Sequence, residues 1–132
     1  MKTLFTIFTL LFTVMFPSTS FAEWTRVSEN DLNTFFYVDF TRIRKNNGYT
    51  YFWVLLDYSE PTIMNSLSHQ IYREGDCSVF RYKSLTTHSY KEQMGLGDQS
   101  EHEVRPHTEW QYPRPTSPNE IILNEVCSYG IK

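Results

Sequence analysis

The sequence has no long hydrophobic run, little glycine and no strong charge of one sign, and each shortage excludes a class of protein. The longest apolar run, residues 4–16, spans 13 positions and includes three threonines, whereas a membrane-spanning helix needs about 20 apolar residues. The chain has five glycines, and MGLGD (residues 94–98) has neither the lysine nor the following helix of a phosphate-binding loop. With 12 basic and 15 acidic residues, and no basic block longer than the cluster at residues 42–45, nucleic-acid binding is not expected.

What the N-terminus does contain is the pattern of an export signal. Lys2 precedes the apolar run, and Ser20 and Ala22 occupy the positions that a signal peptidase requires before a cleavage point. Residues 1–22 are therefore predicted to be a cleavable signal peptide, and residues 23–132 a single domain with a net charge of 11 − 15 = −4. No cysteine lies near the cleavage point, so neither a lipid anchor nor a transmembrane anchor is expected after processing.

The chain has two cysteines, Cys77 and Cys127, 50 positions apart. Because exported proteins meet oxidising conditions, one disulfide is the expected pairing, and it could stabilise the fold by about 4 kcal/mol in the chain-entropy model. The alternatives are a nucleophilic or metal-binding Cys77, but no local signature supports a catalytic cysteine. His102 and His107 lack metal-ligand spacing, so neither a metal nor another cofactor is predicted.

Short apolar segments separated by turn residues predict an antiparallel sheet. Residues 35–40 and 49–58 are aromatic and β-branched, and the Asn-Asn-Gly turn before the second segment favours a hairpin. The 49–58 segment is apolar in the middle of both faces, which predicts a central strand that is at least partly covered on both sides. Residues 66–74 alternate as a half-exposed strand, and a turn at Gly75-Asp76 is expected to start the next strand at Cys77. Residues 92–107 predict a long exposed loop, after which Trp110 and Tyr112 are expected to return to the core.

The strongest local signal is the start of a C-terminal helix. Ser117 is a capping residue, Pro118 suits the first helical position, and Glu120 completes a capping box. The helix is predicted to end near Tyr129, with Gly130 after it, and its apolar stripe includes Cys127. The predicted fold is therefore α+β: an antiparallel sheet of five to six strands with a C-terminal helix packed on it and one disulfide.

No arrangement of residues predicts catalysis. Asp39 and Asp57 could act as an acid–base pair, but an aspartate at a strand end more often caps a turn or pairs with an arginine such as Arg42, and no nucleophile accompanies them. The aromatic stripe at residues 49, 51 and 53 could form an exposed binding surface, but burial in the core is the favoured interpretation.

Taken in order, the motifs resemble one family, the surface-adhesin protein E family. The matching motifs are an opening tryptophan, F-Y-V-D (36–39), R-I-R-K (42–45), W-V-L-L-D-Y (53–58), Y-x-x-x-D-C (72–77), F-R-Y-K-S-L (80–85), M-G-L-G (94–97), E-W (109–110), P-x-S-P-N-E (115–120) and V-C (126–127). The motif residues to which the resemblance assigns a structural role are Trp24, Tyr37, Asp39, Trp53, Asp57, Tyr58, Tyr72 and Trp110.

The resemblance implies an antiparallel sheet with a packed helix, a disulfide between Cys77 and Cys127, and binding of host matrix or serum proteins such as vitronectin and laminin. The expected function is therefore a non-enzymatic exported binding domain with a protein partner. The alternative is a structural or accessory protein of the cell envelope with an envelope partner. The periplasm is the expected location, with the cell surface or secretion left open. The sequence assigns neither the ligand nor the oligomeric state.

Overall fold

The computed structural model describes residues 22–100 and 108–130. The predicted signal peptide lies outside these residues except for its last position, and so do His102 and His107. The elements in chain order are β1 (Thr25–Glu29), β2 (Phe35–Val38), a 3-10 helix (Phe40–Arg42), β3 (Arg44–Asn46), β4 (Tyr49–Asp57), β5 (Ser68–Asp76), β6 (Arg81–Tyr90), a second 3-10 helix (Gln93–Gly95) and α1 (Pro118–Ser128).

All six strands belong to one antiparallel sheet of order β1-β2-β4-β5-β6. Strands β2 and β3 pair with successive halves of β4, β2 with residues 54–57 and β3 with residues 49–51. The turn between β3 and β4 has positive φ at Asn47 and Gly48, as a two-residue hairpin turn requires. The predicted fold class is confirmed, because the described residues form six antiparallel strands, one C-terminal helix and one disulfide.

The hydrophobic core lies between one face of the sheet and α1. Because side chains alternate along a strand, this face receives every second residue of the paired strands, and the helix adds three residues of its apolar stripe. Each large apolar side chain that is fully buried contributes about 1.5–3 kcal/mol relative to exposure. The core consists of Phe36, Val38, Phe52, Val54, Tyr82, Ile122, Leu123 and Val126.

The start and end of α1 agree with the prediction. The Ser117 hydroxyl accepts a hydrogen bond from the Glu120 N–H at 3.3 Å, and Pro118 is the first helical residue. The Glu120 carboxylate accepts from the N–H of Thr116 at 3.1 Å, one residue before the position that a standard capping box uses. Gly130, with φ of 77°, follows the helix and permits the left-handed turn there.

The predicted boundaries of β5 and β6 are wrong. Gly75 and Asp76 continue β5, the turn is at residues 77–80, and β6 begins at Arg81. Gly75 is needed for close packing, because a Cβ there would lie 3.2 Å from Leu123 Cδ1 and 3.2 Å from Phe52 Cε1. Cys77 therefore lies in the turn after β5, and Val79 is exposed.

The alternation of residues 66–74 predicts a solvent-exposed face for β5, but part of that face is buried. Ser68 is completely buried because residues 92–96 fold back over it, and Ser66 is completely buried with its hydroxyl 3.0 Å from that of Ser100. The Ser68 hydroxyl donates to the Glu92 carbonyl at 2.6 Å and accepts from the Gly95 N–H at 2.9 Å. The prediction of an exposed loop at 92–107 agrees with the structure at residues 92, 93 and 96–99, which are exposed, whereas Met94 and Gly95 are half-buried against the sheet. Residues 101–107 lie outside the described part of the chain.

The disulfide joins Cys77 to Cys127 across a Cα–Cα distance of 5.7 Å. Cys127 is in the last turn of α1 and Cys77 is in the β5–β6 turn. The bond therefore ties the C-terminal end of the helix to one end of the sheet. No helix within residues 22–100 and 108–130 is long and apolar enough to cross a membrane.

Candidate binding surface

The face of the sheet opposite α1 carries a set of half-buried aromatic side chains. The strand register places Trp53 opposite Tyr72, Tyr51 opposite Glu74, and Gln70 opposite His88 on this face. We call the following set the open face: Tyr49, Tyr51, Trp53, Tyr72, His88 and Trp110, with the charged residues Arg42, Glu74, Arg81 and Lys83 around them.

This arrangement overturns two predictions about the core. The sequence favours burial of Tyr49, Tyr51 and Trp53, but each is half-buried because α1 covers the other face of β4. Trp110 and Tyr112 also do not return to the core, since Trp110 is half-buried on the open face and Tyr112 is exposed. A helix packed on one side explains why only every second residue of the 49–54 stretch is fully buried.

The aromatic rings of the open face support one another. The Trp53 and Tyr72 ring centroids are 4.9 Å apart, and Tyr72 also stacks on Tyr51 at 6.1 Å. At the other side of this group, Trp110 stacks on Tyr49 at 5.7 Å. Such separations lie in the range where aromatic pairs attract beyond their buried area. The rings are therefore held in place by their neighbours while part of each ring remains accessible.

Three cations lie against these rings. The Arg42 guanidinium is 5.5 Å from the Trp24 ring and 5.3 Å from the Trp53 ring. Arg81 and Lys83 lie 4.4 Å and 4.6 Å from the Trp110 ring. These distances are within the range of cation–π attraction.

Each cation is paired with a carboxylate that is more deeply buried than the cation itself. The pairs are Arg42–Asp39 at 2.6 Å, Arg81–Asp76 at 3.0 Å and Lys83–Glu74 at 3.1 Å. In the first pair the exposed fractions of the two side chains are 39% and 0%. A partner approaching the open face therefore meets rings and cationic groups first, with the compensating acids beneath them.

Two carboxylates beneath this surface, those of Asp39 and Asp76, accept hydrogen bonds that favour their ionised form. Burial raises the pKa of Asp39, but hydrogen bonds from Thr41 and Arg42 outweigh it, so the pKa lies below its ordinary value. The pKa of Asp76 is lowered by a hydrogen bond from Ser78 and, against the effect of burial, by Arg81.

Asp39 and Asp57 have separate partners and do not form an acid–base pair. Asp39 caps the first 3-10 helix and binds Arg42, whereas Asp57 accepts a hydrogen bond from the Met94 N–H at 2.8 Å. Within residues 22–100 and 108–130, no group of three or more histidine, cysteine, aspartate or glutamate side chains is arranged to hold a metal ion.

The model of the family described as surface-adhesin protein E matches residues 24–128, which includes every open-face residue. The chain belongs to the surface-adhesin protein E family. Membership of this surface-adhesin family makes it an adhesin-like protein and implies export. No similar sequence was found among curated proteins.

Three solved structures of Haemophilus influenzae protein E are similar in fold to this chain. One is 15% identical, with a TM-score of 0.64 over 85% of this chain and 89% of that chain. The selenomethionine form is 15% identical, with a TM-score of 0.65 over 86% and 92%. Protein E from non-typeable Haemophilus influenzae is 16% identical, with a TM-score of 0.57 over 85% and 77%. At these identities the likeness concerns the fold.

In this member of the family, most of the motif residues lie on or beside the open face. Trp53, Tyr72 and Trp110 belong to it, and Trp24 contacts it through Arg42. Asp39 holds that arginine in place. By strand register Tyr37, paired with Leu55, points to the same face from β2.

The other two motif residues are at the far end of β4. Asp57 holds the second 3-10 helix through Met94. The Tyr58 hydroxyl lies 3.0 Å from Nδ1 of His69. Burial raises the pKa of Tyr58 and lowers the pKa of His69.

Sequence reasoning did not identify Arg81, Lys83 and His88 as part of a surface. The R-Y-K order of residues 81–83 places Arg81 and Lys83 on the same face of a strand, so the pattern could have predicted a basic strip there. Their proximity to Trp110, however, depends on the short bridge between Tyr82 and Gln111, which is a long-range contact that the sequence pattern does not encode.

Proposed function

We propose that this chain is a non-enzymatic exported binding domain, formed by residues 23–132, and that its open face binds a protein partner. A host matrix protein such as laminin or vitronectin is the proposed partner. The observation that carries the proposal is the Trp53–Tyr72 pair, whose ring centroids are 4.9 Å apart and which is left partly accessible beside Arg42. Tryptophan, tyrosine and arginine are the residue types that dominate binding energy at protein interfaces.

The physical basis is the removal of accessible ring surface from water. Aromatic side chains bury large areas at interfaces with little loss of side-chain entropy, and these rings are already stacked in place. Arg42, Arg81 and Lys83 can donate to carbonyl or carboxylate oxygens of a partner without leaving their own acids, because each acid lies deeper than its cation.

The test is binding of purified residues 23–132 to immobilised laminin and vitronectin in a biosensor. We expect saturable binding that Trp53→Ala weakens about 30-fold, the size typical of an interface hot spot. Val79→Ser, an exposed change in the β5–β6 turn, is the matched control, and circular dichroism establishes that each variant is folded. A flat response at micromolar protein would argue against a matrix partner. Equal loss in both variants would argue against the open face.

An envelope partner is the second candidate, because the same rings and cations suit any protein surface of complementary shape. Cell fractionation combined with protease treatment of intact cells distinguishes the two candidates. Protein that is found in the periplasmic extract and is protected from protease would exclude host adhesion and favour the accessory role. Cleavage on intact cells would favour the adhesin role.

A further inference from the structure

A second surface is formed at one end of the sheet by three neighbouring segments. They are residues 30–34 between β1 and β2, residues 58–67 between β4 and β5, and residues 91–99 after β6. The last two are joined by a hydrogen bond from Gln93 Nε2 to the Tyr58 carbonyl at 3.0 Å. We call these three segments together the loop end.

The loop end exposes four large apolar side chains. Leu32 is 80% exposed and Met64 is 49% exposed, while Ile63 is fully accessible and Leu96 is mostly so. A single exposed apolar residue is common on a protein surface. Four of them in the segments of one end are less common, and larger exposed apolar patches mark interaction sites.

Hydrogen bonds within the turns hold two of these segments in shape. The Asn30 side-chain oxygen accepts from the N–H groups of Leu32 and Thr34, both at 3.0 Å. In the second segment the Thr62 N–H donates to the Ser66 carbonyl at 2.9 Å, and the Asn65 N–H donates to the Thr62 carbonyl at 2.8 Å. Ile63 and Met64 lie at the centre of that turn, so a partner would meet them already ordered and at a lower entropy cost.

A depression of about 510 Å³ separates the first two segments, and it is lined by residues 31–34 and 58–60. Two of its lining residues are acids, Asp31 and Glu60. With Glu92 and Asp98, the three segments contain four acids against one base, Lys91, a net charge of 1 − 4 = −3.

We propose that the loop end is a docking surface for a protein segment in which basic and apolar residues alternate. The apolar side chains of such a segment would pack against Leu32, Ile63 and Met64, and its basic groups would lie beside Asp31 and Glu60. Complementary charge favours this occupant. An anionic bilayer, in contrast, would be repelled by the acids. This surface is separate from the open face, so the proposal does not depend on the partner proposed there.

The test uses a fluorescein-labelled synthetic peptide in which arginine and lysine alternate with leucine and phenylalanine, titrated with residues 23–132 and followed by anisotropy. We expect saturable binding that the double variant Leu32→Ser/Ile63→Ser weakens about tenfold or more. The pair Asp31→Asn/Glu60→Gln is expected to weaken it about threefold or more and to reduce its salt dependence. Val79→Ser is the matched control for an exposed apolar residue and should leave binding unchanged.

Any of several outcomes would overturn the proposal. They are no binding of the basic peptide, equal binding of a peptide with glutamate and aspartate in place of the bases, binding unaffected by the loop-end variants, and stronger association with phosphatidylglycerol vesicles than with the peptide. Loss of peptide binding in Trp53→Ala without loss in the loop-end variants would assign the peptide to the open face and would likewise overturn it.

Discussion

Among the individual residues, Asp39 connects the fold to the open face. It is completely buried, and it accepts hydrogen bonds from the Thr41 N–H at 3.0 Å and from Arg42 Nε at 2.6 Å. Because Arg42 lies between two tryptophan rings, the carboxylate determines where the cation stands. The sequence could predict that Asp39 caps a turn and pairs with an arginine, because its partners Thr41 and Arg42 are only two and three positions away.

Replacing Asp39 with asparagine should reduce stability most at neutral pH. The hydrogen bonds from Thr41 and Arg42 outweigh burial and lower the pKa of Asp39 in the folded state, so its contribution is present above the unfolded-state pKa of about 3.9 and is lost as the pH falls through the folded-state pKa. We expect Asp39→Asn to cost about 2 kcal/mol at pH 7 and less at pH 3. Urea unfolding at both pH values measures this. The control is Asp31→Asn at an exposed site, and an equal cost of Asp39→Asn at both pH values would contradict the argument.

Among the elements, the limits of α1 were predictable, whereas β5 was predicted as a strand but with the wrong end and the wrong exposure, for a physical reason. The limits of the helix depend on nearby residues, namely the Ser117 cap, Pro118 and Gly130. The exposure of β5 depends on residues 92–96, which cover Ser68 from a distant part of the chain. A period-two pattern cannot show such a cover. For the same reason it could not show which face of β4 α1 leaves open, and therefore where Trp53 is accessible.

The disulfide should account for a large part of the stability of the helix–sheet packing. We expect Cys77→Ser/Cys127→Ser to lower the free energy of unfolding by about 4 kcal/mol in the chain-entropy model, because the bond closes a loop between positions 50 apart in sequence. Urea unfolding followed by circular dichroism measures this loss. Wild-type protein that has been reduced and alkylated should behave like the variant. An unchanged midpoint would mean that α1 stays packed without the bond.

Gly75 should be intolerant of larger residues because α1 packs directly over it. A side chain at this position would place its Cβ 3.2 Å from Leu123 Cδ1, so we expect Gly75→Val to cost about 1–3 kcal/mol by overpacking. Thr86→Val, at an exposed position of β6, is the control and should cost little. In a double-mutant cycle, Leu123→Ala should relieve part of the cost. Strict additivity would show that the strain lies elsewhere.

At the scale of the whole molecule, the open face and the loop end are two surface regions that differ in the charge and the type of apolar side chain they expose. The open face presents rings and cations, and the loop end presents aliphatic side chains and acids. The sequence order of the motifs was enough to predict the fold and the family. The composition of the two surfaces was not predictable in this way, because each is assembled from segments far apart in the chain.

The predicted removal of the signal peptide would change one hydrogen bond of the fold, the one between Glu23 and Asp39. The N–H of Glu23 donates to Asp39 Oδ2 at 3.3 Å, and the expected cleavage after Ala22 would turn that amide into a charged α-amino group. We expect the free energy of unfolding of a chain that begins at Glu23 to be about 1 kcal/mol larger than that of a chain that retains Ala22. Urea unfolding of the two chains tests this, and N-terminal sequencing of the exported protein tests the cleavage point. Asp39→Asn should remove the difference.

The precursor would then lack an ion pair that the exported chain gains. If the chain is exported unfolded, a less stable precursor would cross the membrane more readily, and a more stable product would resist unfolding afterwards. If cleavage occurs after Ala22 as expected, the new N-terminus would add a charge beside the buried carboxylate of Asp39, and the cleavage that releases the protein would also strengthen its fold.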